Sequence, residues 1–212
     1  MDLVAFIREK VTPMVCGLFP ATEQERVLDT LARSVVFLTP ATIDGVLEKT
    51  PWLSTAWDLA NLYLADCGAD LLAEDAPCLV GLSEEITCYL TAGYFDQSGR
   101  FDDFLVHEAA HIFHNCKRVM IGLPETRRKK WLLEIEYSKR ETFAYACEAY
   151  SRIQELADSA KGRLRLLAEH EHGPMPADDR VNVDEYMDIL REAITARNGW
   201  KRILQRCSPI AR

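Results

Sequence analysis

His107-Glu108-Ala109-Ala110-His111 constrains this chain more than any other stretch, because on a helix it fixes two imidazoles and a carboxylate within little more than one turn. His107 and His111, four residues apart, share one face with about 5–6 Å between Cβ atoms, within reach of a single zinc ion. Glu108 is rotated about 100° away, where its carboxylate clears the metal and can hold a water as general base. Shuffling this composition produces the pattern about once in a hundred chains, so the surroundings must carry part of the case. On a helix over residues 101–117, Leu105, Val106, Ala109, Ala110, Ile112 and Phe113 gather on one arc, and Asp103, His107, Glu108, His111, His114 and Asn115 on the other. Phe104 is the one large apolar residue in the polar arc, which points to a cleft wall and not a plain solvated surface. Three of the five histidines fall on that side.

A length of 212 residues, 48% hydrophobic and 27% charged, predicts an ordinary globular protein, read most simply as one domain over 1–212. The net charge of −8 argues against nonspecific affinity for nucleic acid or anionic lipid. The run Arg127-Arg128-Lys129-Lys130 is a local exception, read as a solvated helix face. The seven cysteines are scattered, with no Cys-x-x-Cys, as reduced thiols in a cytoplasm would be. The first residues lack the basic start and apolar run of a secretory signal, and no apolar stretch of membrane-spanning length occurs, so a cytoplasmic location is expected.

Residues 2–17 have helical spacing, with a break or kink at Pro13. Thr22-Glu23-Gln24-Glu25 has the form of a capping box for a helix that carries Val27, Leu28, Leu31, Val35 and Val36 up to Pro40. Further helices are expected at 42–48 and from Pro51 to near Gly68. Then the pattern changes: 78–82 and 86–91 are short and β-prone, separated by Ser83-Glu84-Glu85, a small hairpin or part of a small sheet. An edge strand just before the histidine helix would suit β-augmentation by an extended substrate. A helix is expected to start at Pro124, another to cover 138–160, and two more to form the tail on either side of Gly199.

Two histidines do not complete a catalytic zinc site; a third protein ligand is needed. Glu134, Glu136, Glu141 and Glu148 are the acids on offer. Glu141 shares a helical face with Tyr145 and Glu148, and Tyr145 is an odd interruption for a merely solvated stripe. That favours Glu141, against the plainer account in which Glu148 and Arg152 form an i,i+4 ion pair. Donors for an oxyanion include Tyr145, Tyr137, His114 and the pair His170/His172, while Asp103 can orient the His107 ring.

The pentapeptide followed by Glu141-x-x-x-Tyr145-Ala146-Cys147-Glu148 resembles the gluzincin-type metallopeptidases related to the ImmA and IrrE proteases. The resemblance spans residues 104–153. It implies His107, His111 and Glu141 as ligands of Zn2+ and Glu108 as base. It also implies an α+β, predominantly helical fold in which a small β-sheet packs on the active-site helices. Residues 1–75 would then form a helical scaffold, 76–160 the zincin-like core and 161–212 a helical C-terminal part. The chain departs from the family's usual pattern in having Ala110 before its second histidine. Neither an N-terminal helix-turn-helix nor a C-terminal sensor domain is expected from this sequence. The expected function is hydrolysis of a peptide bond in a protein or peptide substrate, with Glu108 and Tyr145 as the catalytic pair. The alternative is a catalytically silent relative that binds a macromolecular partner.

Overall fold

The computed structural model describes residues 2–73, 76, 81–84, 86–96, 99–127 and 129–209. Helix α1 (Leu3–Leu18) opens where the Asp2 carboxylate accepts the Ala5 amide at 3.1 Å, and it buries Ile7, Val11, Met14, Val15 and Leu18. Pro13 lies inside α1 without ending it; the carbonyl deprived of its partner is that of exposed Glu9, where water can replace the bond. Helix α2 (Ala21–Ser34) packs on α1. It begins one residue before the expected capping box and has no side-chain cap, since Pro20 stands at the N-cap and Glu25 of the box pairs with Arg8 at 2.6 Å instead; Glu23 reaches Arg118 at 2.6 Å. The helix also stops short of Pro40. Val35–Leu38 is strand β1, which suits the stiff, β-branched Val35 and Val36 and gives their backbone a ladder partner.

Helices α3 (Ile43–Lys49) and α4 (Leu53–Asp66) follow, and the chain turns at Gly68 with φ 65°. Strands β2 (Gly81–Glu84) and β3 (Thr87–Thr91) form an antiparallel hairpin, and β1 pairs parallel to β3, giving the order β1-β3-β2. Of the strand expected at 78–82, residues 78–80 lie outside the described residues; β2 itself runs on through Ser83 and Glu84, which the sequence reading placed in the turn. The two-residue period of β3 divides its side chains: Cys88 and Leu90 join the main core, while Tyr89 packs with Leu82 on Leu38, Ile43, Leu59 and Leu62 beneath α3 and α4.

The remaining helices are α5 (Phe104–Asn115), α6 (Arg140–Leu156), α7 (Ala160–His170), α8 (Val183–Thr195) and α9 (Gly199–Cys207). No α-helix starts at Pro124. The segment instead pairs with itself at Lys117 and Trp131, and the Leu133 amide donates to the Phe113 carbonyl at 2.8 Å, tying it to the end of α5. Arg127, Lys129 and Lys130 are exposed on a turn there and not on a helix face. Helix α5 packs on β2, β3 and α6; α6 packs on α8 and α9; and α1 closes against α9. A Cβ on Gly17 would come within 2.1 Å of the Trp200 ring, and the Asn198 side-chain amide donates to the Gly17 carbonyl at 2.9 Å, so α1 and α9 share one core. The fold is α+β and predominantly helical. Among the described residues no helix is long and apolar enough to cross a membrane.

Candidate metal centre

The phase of α5 is set by its N-cap, where the Asp103 carboxylate accepts the Val106 amide at 3.2 Å. Leu105, Val106, Ala109, Ala110, Ile112 and Phe113 are then fully buried on one side, as the arc predicts. On the other side His107, Glu108, His111 and His114 line a cleft of 870 Å³ shared with α6 and with the loop before α8. The Nε2 atoms of His107 and His111 are 3.3 Å apart, and Glu141 Oε2 lies 3.8 Å from the first and 3.5 Å from the second. Donors about 2.1 Å from a tetrahedral centre stand about 3.4 Å apart. These three atoms therefore fit one small divalent ion, and they are a group of potential metal ligands among the described residues. The other acids are engaged elsewhere or exposed: Glu134 accepts the Lys130 and Trp131 amides at 2.8 and 3.2 Å, and Glu136 is exposed.

Glu148 stands behind the centre. Its Oε2 is 3.0 Å from His107 Nδ1 and its Oε1 accepts the Asp103 amide at 2.7 Å. With Nδ1–H donating to Glu148, Nε2 is the atom of His107 turned toward Glu141 and His111. The residue orienting His107 is thus Glu148, and not Asp103, which is occupied by Lys10 Nζ at 2.8 Å and the Tyr94 hydroxyl at 3.2 Å. The i,i+4 pair of the plainer account, between Glu148 and Arg152, does not form, and Arg152 pairs with Glu155. Behind His111, Nδ1 meets His114 Nε2 at 3.5 Å.

Electrostatics favour a cation in this position. Burial opposes charge on His107, but hydrogen bonds to Glu141 and Glu148, and the charges of Glu148 and Glu108, outweigh it and hold its pKa above the ordinary imidazole value. Burial likewise works to raise Glu141, yet His107 and His111 hold it below the usual carboxylate range. His114 goes the other way: burial, then His111 and Arg140, push it down to about 3, so it stays neutral. Tyr145 packs its ring edge-on to His107 at 4.5 Å between centroids, and burial with the Glu148 charge pushes it up to about 12, so it keeps its proton.

Glu108 makes no hydrogen bond among the described residues, although it is 9% exposed. Gly81 of β2 lies against it: a Cβ there would stand 3.0 Å from Glu108 Cγ, 3.1 Å from Oε1 and 3.1 Å from Leu90 Cδ2. Gly81→Val should therefore displace the Glu108 carboxylate. If Glu108 is the general base that the sequence suggests, turnover should fall about tenfold or more with metal content unchanged, measured as metal content beside activity; unchanged activity would show that Glu108 has room to spare. A glycine inside the β-prone run 78–82 is a sequence signal for such close approach.

Arg180 was not foreseen. It lies in the loop before α8, holds Asp178 through Nε and Nη2 and reaches Glu141 Oε1 with Nη1 at 3.1 Å, leaving Oε2 toward the imidazoles. At 67% exposure this contact is worth at most about 1 kcal/mol, so it directs the carboxylate more than it stabilises the fold. Nothing in local spacing connects a loop arginine to a helix this far upstream. Among the expected oxyanion donors, Tyr145, Tyr137, His114 and His170 line the cleft. His170 is bonded to the Tyr186 hydroxyl at 2.6 Å, whereas His172 bonds the Ala168 carbonyl, so these two histidines form no common site. Comparison of the chain with family models, with curated proteins and with solved structures gives no match.

Proposed function

We propose that this chain is a zinc-dependent peptidase. What supports this best is the three-donor cluster of His107, His111 and Glu141 with an unengaged carboxylate, Glu108, on the turn between the two histidines. Two imidazoles and one carboxylate are a donor set of catalytic zinc sites. Held by those three residues, zinc would supply a Lewis acid and a water of lowered pKa. Glu108 takes a proton from the attacking water onto its carboxylate and returns it to the leaving nitrogen. Tyr145, protonated at neutral pH, donates its O–H to the developing oxyanion. Among the described residues strand β2 ends the sheet and borders the cleft through Gly81 and Leu82, where its outer backbone edge would pair with an extended substrate.

The test is a degenerate peptide mixture incubated with zinc-loaded protein, with new N-termini identified by mass spectrometry. Cleavage should stop on chelation, return with zinc, and slow when amides beside the scissile bond are N-methylated. Cleavage indifferent to metal removal, or failure to bind zinc stoichiometrically, overturns the reading.

A further inference from the structure

We propose that Arg140 recognises a carboxylate of a peptide substrate, carried by an acidic side chain or by its C-terminus; the inference rests on the peptidase reading above. Arg140 opens α6 immediately before Glu141 and lines the same cleft. Its guanidinium lies over the Tyr137 ring, 5.1 Å from the centroid. Among the described residues it has no hydrogen bond and no carboxylate partner, and its Nε is buried without an acceptor.

That is unusual in a chain with 33 acids against 25 Lys and Arg, where an arginine readily finds a carboxylate. Arg180, on the same cleft, holds two. A buried donor without an acceptor is costly, and the natural remedy is an acceptor supplied from outside. His114 repeats the signature on the same cleft: the ring is buried and its Nδ1 has no partner. Ser138 and Asn115 line the cleft alongside, adding further donors. The first turn of α6, seventeen residues long and lacking a side-chain cap, adds positive potential at the same place. Unmet donors and positive charge converge here, and the planar fork of arginine matches a carboxylate in two parallel bonds. The carboxylate can belong to an acidic side chain or to a peptide C-terminus.

Three peptide hydroxamates separate these outcomes, the hydroxamate serving as a metal anchor. One is neutral, with a glutamine side chain and an amidated end; the second replaces that glutamine by glutamate; the third keeps a neutral side chain but ends in a free carboxylate. The side-chain probes are made with the hydroxamate at either end, so both directions along the cleft are sampled. Isothermal titration into zinc-loaded protein should give about tenfold or tighter binding for one acidic probe over the neutral one, and which acidic probe wins identifies the source. Arg140→Gln should bring that ratio to about one, and Arg140→Lys should keep part of it, since charge survives but the fork does not. Equal binding of all probes by the wild-type protein, or a preference that persists in Arg140→Gln, overturns this proposal while leaving the metal centre standing. Binding of none of them overturns the metal-centre reading and this proposal together.

Discussion

Glu108→Gln should lower peptide hydrolysis by about 10²–10⁴-fold while stoichiometric zinc stays bound. The substitution is isosteric, which matters because the carboxylate already touches the position where Gly81 would carry a side chain. A carboxamide fills the same space but cannot take up a proton, so geometry is kept and the base is lost. Zinc retention follows from the donor triangle, which is made by His107, His111 and Glu141 without Glu108. Metal content and activity must therefore part company in this variant. Unchanged hydrolysis would remove Glu108 from the mechanism, and loss of zinc would make it a ligand or a support of one. The same variant weighs the peptidase against a silent relative that holds zinc and binds a partner. In the silent case Glu108→Gln has no turnover to abolish.

The histidine helix was legible because everything it needs is local. A period of 3.6 residues sorted α5 into a buried arc and a cleft arc, and Leu105 through Phe113 follow it without exception. Glu141 was legible as a preference among four acids, through the aromatic that interrupts its stripe. What sequence periodicity could not supply was depth. Glu141 and Glu148 lie two turns apart on one face of α6, and only the packing of α6 against α5 sends one carboxylate to Nε2 of His107 and the other to its Nδ1. Strand β1 was hidden for a related reason: its hydrogen-bond partner β3 is distant in sequence, so Val35 and Val36 read as a continuation of α2. The 124–136 segment begins with helix-starting chemistry at Pro124 and Glu125, but its backbone donors and acceptors are claimed by Cys116, Arg118 and Phe113, a long-range competition invisible to local propensity. Arg180 and Arg140 carry no motif at all; each is conspicuous only through what it does or does not touch.

The two carboxylates beside His107 should separate cleanly when each is removed. Apparent zinc-binding energies of about 10–16 kcal/mol spread over four ligands assign each about 3 kcal/mol, or roughly 10²-fold in affinity. Glu141→Ala should therefore weaken zinc by about 100-fold or more in chelator competition. Glu148→Ala, which removes the partner of a ligand and not a ligand, should weaken it by about 10–100-fold. The metal-free proteins distinguish the roles further. Glu148 is 4% exposed and accepts from both the Asp103 amide and His107 Nδ1, so its loss strands two buried donors at about 1–3 kcal/mol each, enough to lower Tm by several degrees. Glu141 gives up a screened contact with Arg180 and its pairing with two imidazoles that keep other partners, so metal-free Glu141→Ala should lose less stability than metal-free Glu148→Ala. Zinc retained by Glu141→Ala and lost by Glu148→Ala would exchange their assignments. It would also make the carboxylate behind His107 the one that faces the metal, against the 3.5 Å approach of Glu141 to His111.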